Sequence, residues 1–251
     1  MTSSAGLATL EREWLAGAPR SIRHPLARAL LVLTFTTGLV DAVSYLGLGH
    51  VFTANMTGNI VFLGFGIAGS GGLPVLAPLI SLAAFLLGAG GGGVLADRIG
   101  HRHRQHVARA LAIEVSLLAV AAVLAAAVDV RPNTASADVV IALLAFAMGV
   151  RNATVRRIGV PDLTTTVLTM TLTGIAADST IAGGGDSKLG RRSLAVIAMF
   201  VGALVGALLV LHVDVAAPLA AAAGILVVVA VATRAVSRTP AAWAVTSKTR
   251  P

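Results

Sequence analysis

The chain has 251 residues, 56% of them hydrophobic and 12% charged, with a mean hydropathy of +0.88, more apolar surface than a soluble domain can bury. Its formal net charge of +8 does not point to nucleic acid, because the basic residues stand in short clusters beside apolar runs, as in the cytoplasmic loops of membrane proteins. The absence of cysteine excludes disulfides, thiolate metal sites and thiol chemistry.

Residues 1–25 carry Glu11, Arg12, Glu13 and Arg20 and lack a short apolar core with a small-residue cleavage site, so they are expected to be a cytoplasmic tail, not a removable signal peptide. Leu7, Leu10, Trp14 and Leu15 share one helical face; a helix on the membrane surface and a frayed tail both fit. Apolar runs at 26–40, 73–96, 108–128, 194–211 and 216–232 predict membrane spans. The alternation of a porin-type barrel is absent, so the fold class is all-α, a polytopic transmembrane helical bundle.

Along the first span Asp41 stands about fourteen residues in. A carboxylate within the bilayer costs ~3 kcal/mol and should face the protein interior, so Asp41 is a candidate for binding a cation or a coupling proton. The other reading is an interfacial residue ending the helix before Gly47 and Gly49. Next, Asn55, Thr57 and Asn59 interrupt an apolar run, which suits a helix break whose freed backbone groups need partners and which can also hydrogen-bond a solute. Gly88 through Gly93, Gly202 and Gly206 give small-residue faces for close helix approach.

His101, His103 and His106, interleaved with Arg102 and Arg104, read as a solvated basic loop rather than a metal site, and no metal or cofactor is expected. Glu114 lies one and a half turns into its span, where it could relay protons. Arg151 follows only about a dozen apolar residues after Asp138. With Asn152 it either caps a tilted helix at the cytoplasmic surface or sits inside the bundle, countering a carboxylate or holding an anionic solute. Threonines crowd 164–173; most suit helix packing, while Thr165 and Thr169, opposite Thr53 and Thr57, suit a site. Asp178 is read as a helix end before Gly183–Gly185.

Basic residues collect in the N-terminal tail, at 98–109, 151–157 and 188–192, and beyond Arg234, and the positive-inside rule assigns all five places to the cytoplasm. Three apolar segments then separate the tail from Arg98, and a single one, 163–182, separates Arg157 from Lys188. One segment in each half, 51–69 and 163–182, is therefore expected to be broken or re-entrant. Residues 46–57 align with 158–169, Gly38 and Asp41 with Gly149 and Asn152, and Phe85, Gly88 and Gly92 with Met199, Gly202 and Gly206. The expectation is two repeats, 26–130 and 138–236, of three crossings each and opposite orientation, followed by a cytoplasmic tail at 237–251. Eight ordinary spans in a parallel repeat are the alternative.

The stretches Thr37-Gly38-Leu39-Val40-Asp41-Ala42 and Phe52-Thr53-Ala54-Asn55-Met56-Thr57-Gly58-Asn59 resemble the hallmark of the YoaK-like family of multi-pass bacterial membrane proteins, a domain of unknown function. Met148-Gly149-Val150-Arg151-Asn152-Ala153 and Thr164 through Thr169 resemble its second signature, although Arg151 replaces a glutamine of the family pattern. The resemblance spans about residues 25–235 and implies a bacterial cytoplasmic membrane and about six crossings, but no substrate.

Enzyme signatures such as a phosphate loop, His-Glu-x-x-His or Gly-x-Ser-x-Gly are missing, and no catalytic activity is expected. The leading expectation is a secondary transporter or permease for an unidentified small solute or ion. Asp41, Asn55, Thr57 and Asn59 of one half would face Arg151, Asn152, Thr165 and Thr169 of the other, with proton coupling at Asp41. Its rival is a non-transporting scaffold or sensor that binds a protein or lipid. The expected surroundings are the lipid bilayer, with a homo-oligomer left open. Because the chain has no native thiol, single cysteines replacing Ser70 and Ser187 report sidedness through impermeant labelling of sealed vesicles. Ser70 is expected outside and Ser187 inside; finding Ser70 inside contradicts the topology of the first half.

Overall fold

In hydrocarbon a helix satisfies its own backbone groups, and neighbouring helices gain little from apolar side chains that lipid would solvate equally well. What decides the bundle is therefore length, and how closely helices can approach. A computed structural model describes residues 25–70, 72–99, 103–158, 168–179 and 189–236. Its helices are α1 (Pro25–Ala42), continued by a π-helical turn (Val43–Gly47), α2 (Met56–Ile67), α3 (Leu76–Ile99), α4 (His103–Ala127), α5 (Ala135–Ile158), α6 (Thr169–Ala177), α7 (Leu189–His212) and α8 (Ala216–Val236).

Six of these, α1 with its π turn, α3, α4, α5, α7 and α8, are long and apolar enough to cross a membrane, and the chain is a multi-pass integral membrane protein. The 12 residues of α2 and the 9 of α6 rise only ~18 and ~14 Å, short of a ~30 Å hydrocarbon core. Neither can cross as a single helix. Residues 163–167 and 180–182 of the second irregular segment, Thr165 among them, lie outside the described residues, as do both tails.

α1 packs along α7, α3 along α5 and α4 along α8, with further contacts of α5 on α4 and α1 on α8. The first two pairs meet backbone to backbone. A Cβ on Gly38 would strike the Met199 carbonyl and lie 2.6 Å from the Ala203 nitrogen, and one on Gly202 would strike the Phe35 carbonyl. In the other pair a Cβ on Gly149 would strike the Phe85 carbonyl and lie 2.7 Å from the Ala89 nitrogen, while one on Gly88 would strike the Phe146 carbonyl. Gly206 against Leu39 and Gly92 against Val150 extend the contacts by one turn. The opposite face of α7 carries Ile197, Phe200, Leu204, Leu208 and Leu211, all exposed and suited to lipid.

One local expectation needs correction: His103 and His106 belong to α4 rather than to a loop, and His106 is buried; a helix that starts at residue 103 carries this segment into the bundle. Of the two readings of Arg151, the one inside the bundle holds, since α5 continues to Ile158 with Arg151 buried in its interior. The glycine contacts yield a paired test. Gly88→Leu and Gly202→Leu should each destabilise the detergent-solubilised protein by about 1–3 kcal/mol or more, because the obstacle is backbone. Gly90→Leu and Gly93→Leu, where a Cβ meets nothing within 4 Å, should leave the thermal unfolding midpoint nearly unchanged.

Candidate functional site

Near the end of α1 the helix widens into the π turn Val43–Gly47, and the chain then reverses through Gly49 at φ +110° and His50 at φ +57°. Such a turn rotates the residues that follow it relative to a regular α-helix. The returning strand of chain is fastened at two points. The Asp41 carboxylate accepts the Ala54 N–H at 3.1 Å. Asn59, fully buried on α2, accepts the Phe52 N–H at 2.9 Å and donates to the Phe52 carbonyl at 2.6 Å and to Ser81 of α3 at 3.1 Å. Ser81 donates to the same carbonyl at 2.7 Å. With its backbone held at both N–H and C=O, Phe52 has a fixed position. Asn55 caps α2, accepting the Gly58 N–H at 3.3 Å.

This arrangement walls a cavity of about 770 Å³, within the ~300–1,000 Å³ range of small-molecule sites. Asp41, Asn55 and Thr57 border it from the first half, and Leu168, Thr169 and Leu172 at the start of α6 border it from the second. Gly38, Met199 and Ala203 of the α1–α7 crossing border it as well. So do three half-buried rings: Tyr45 and Phe52 stack at 5.1 Å between centroids and 22° between planes, Phe52 and Phe62 at 5.9 Å and 19°. Asp41 is 6% exposed, and among the described residues no basic side chain reaches it within ion-pair distance.

Arg151 is committed elsewhere. Its guanidinium forms an ion pair with Glu114 of α4 and donates to the Leu33 carbonyl at 2.8 Å, the Thr37 hydroxyl at 2.7 Å and the Thr36 hydroxyl at 2.9 Å, all on α1. Both charged side chains are almost fully buried, so one guanidinium joins three helices in the interior. Asp178, at the C-terminal end of α6, pairs with Arg192 of α7 at 2.7 Å, and Arg192 also donates to the Gly174 carbonyl at 2.5 Å.

Of the residues singled out from sequence, Asp41, Asn55, Thr57 and Thr169 come together at one cavity. Asn59 does not border it, because its amide is spent on Phe52 and Ser81. Arg151 does not face Asp41 across the cavity but lies in the Glu114 knot. Asn152 bonds the Met148 carbonyl at 2.8 Å and is absent from the cavity wall, and Thr165 lies outside the described residues. The aromatic wall was missed, though a signal existed: the chain's single tyrosine and two of its seven phenylalanines fall within residues 45–62.

The model of a family described as protein of unknown function (DUF1275) matches residues 29–232. The UPF0700 transmembrane protein YoaK of Bacillus subtilis (strain 168) is 35% identical over 193 residues, covering 71% of this chain and 81% of that one. No solved structure matches.

The buried ion pair yields its own expectation. Glu114→Gln should destabilise the protein by about 3–5 kcal/mol by leaving the guanidinium uncompensated, while the double variant Glu114→Gln, Arg151→Met should recover a substantial part of that loss. Reversible unfolding in mixed detergent measures both. A single variant as stable as the parent would show that the pair is dispensable.

Proposed function

We propose that this chain, which belongs to the DUF1275 family and is an integral membrane protein, is a secondary transporter or permease for a small solute in the bacterial cytoplasmic membrane. Both termini are cytoplasmic in this reading, which rests on the basic clusters at the tails and between spans. α2 and α6 enter the bilayer from opposite sides without crossing it. Their short lengths support this, as does the meeting of their N-terminal ends at one cavity. Solute sites at interrupted helices near the midplane are the common plan of such carriers.

An inverted duplication explains the packing. Exchanging α1 with α5, α3 with α7 and α4 with α8 turns the α1–α7 contact into the α5–α3 contact and leaves the α4–α8 contact in place. The glycine pairs exchange in the same way, Gly38 and Gly202 for Gly149 and Gly88.

The observation that carries the carrier reading is Asp41, a buried carboxylate with no ion-pair partner among the described residues that borders a cavity large enough for a solute. A purely structural acid would be expected to be closed off with a partner. Asp41 is the group for a coupling proton or a bound cation. Single cysteines replacing Thr57 and Thr169 test the cavity's access. In sealed vesicles of either orientation, a charged, membrane-impermeant methanethiosulfonate should label each position, and from both faces of the membrane. No labelling from either face would mark a dry, closed bundle and favour a scaffold.

A further inference from the structure

We infer that the solute of this cavity is an organic cation, an amine or quaternary ammonium with apolar substituents, whose charge lies between the Asp41 carboxylate and the ring wall of Tyr45, Phe52 and Phe62. The inference rests on the carrier reading for the solute's movement, but the site itself stands on geometry.

Charge comes first. Asp41 is the one acidic side chain on the cavity wall and no Lys, Arg or His borders it among the described residues. The nearby guanidinium of Arg151 is committed to Glu114, Thr36 and Thr37. An anionic solute would have to sit against a carboxylate that has no ion-pair partner among the described residues. The N-terminal ends of α2 and α6 do border the cavity, but the cap of α2 already has Asn55 accepting the Gly58 N–H. These ends offer partial charges against a full one.

Size and lining separate an organic cation from a metal ion. A hard metal cation needs roughly six to eight oxygen ligands at short range. Among the described residues, the side-chain oxygens on this wall belong to Asp41, Tyr45, Asn55, Thr57 and Thr169, and the rest is apolar or aromatic. A space of about 770 Å³ is also far larger than one ion requires. The rings supply what an ammonium bearing carbon substituents needs. Tyr45, Phe52 and Phe62 form a continuous surface, with the third pair, Tyr45 and Phe62, at 6.1 Å. The negative faces of aromatic rings attract cations most strongly where water is scarce. Asn59 then acquires a purpose at one remove, as a positioning residue that holds Phe52 in this surface.

The test uses the full chain in nanodiscs, titrated calorimetrically with benzyltrimethylammonium and, as the anionic counterpart, phenylacetate. The cation should bind saturably and the anion should not. Asp41→Asn keeps an oxygen for the Ala54 N–H and removes the charge, so it should weaken cation binding at least ten-fold without moving the unfolding midpoint. Phe62→Leu keeps an apolar side chain and removes the ring; it should weaken binding by about two- to thirty-fold. Equal binding of the two probes by the parent protein overturns the inference, as does undiminished cation affinity in both variants. The parent measurement stands even if a variant fails to fold. Flux into proteoliposomes separates the two readings. Saturable binding of the cation with no accumulation leaves the site and removes transport; Asp41-dependent accumulation of a neutral or anionic solute without cation binding leaves transport and removes the cation.

Discussion

Backbone-to-backbone contact at four glycines is the constraint on which the bundle depends. In lipid the drive to bring two helices together comes from close packing, and at Gly38, Gly202, Gly88 and Gly149 nothing larger than hydrogen fits against the facing carbonyl or amide. These contacts bring α1 to α7 and α3 to α5 and so determine which helices lie at the centre. The same contact helps to make the site. Gly38, Met199 and Ala203 are at once part of a crossing and part of the cavity wall, so the cavity begins where α1 and α7 cease to touch.

Two ion pairs join neighbouring helices: Glu114 of α4 with Arg151 of α5, both almost fully buried, and Asp178 at the end of α6, half exposed, with Arg192 of α7. Arg151 uses both terminal nitrogens, reaching two threonine hydroxyls that also donate to the Leu33 carbonyl of their own helix. Threonine is suited to this place because its hydroxyl can give to the helix and receive from the guanidinium. Asp41 stands apart, held by the backbone of residues 53 and 54 and bordering the cavity. Glu114, the other buried acid among the described residues, has its guanidinium partner, which makes the exception informative.

Much of this was legible from residues alone, for identifiable reasons. Span lengths follow from bilayer thickness, so five of the six long helices stood out as apolar runs, while α5, interrupted by Arg151, was counted only through the basic flanks and the repeat. The shortness of α2 and α6 was visible as a conflict between apolar runs and basic flanks. Asp41, Asn55 and Thr57 stood out because polar groups in a lipid-soluble stretch need a reason. What stayed hidden were partners. Glu114 lies on another helix, 37 residues before Arg151, and no periodicity joins them. Asn59 looked like its neighbours Asn55 and Thr57, yet its amide turns to the Phe52 backbone, a destination set by how the chain reverses after the π turn. That reversal also gathers Tyr45, Phe52 and Phe62 from the π turn, the connection and α2 onto one surface.

A crossing without side chains is also a fulcrum. Gly88, Gly149 and Gly202 fall near the middle of 24-residue helices. A tilt of ~10° about such a point would carry the two ends of a helix ~3 Å in opposite directions, given a rise of 1.5 Å per residue. Larger side chains interlocked along the whole length would resist that motion; a bare contact of about two turns concentrates the resistance near the centre. Width gained at one mouth of the bundle would then be width lost at the other, with the Asp41 carboxylate beside the pivot.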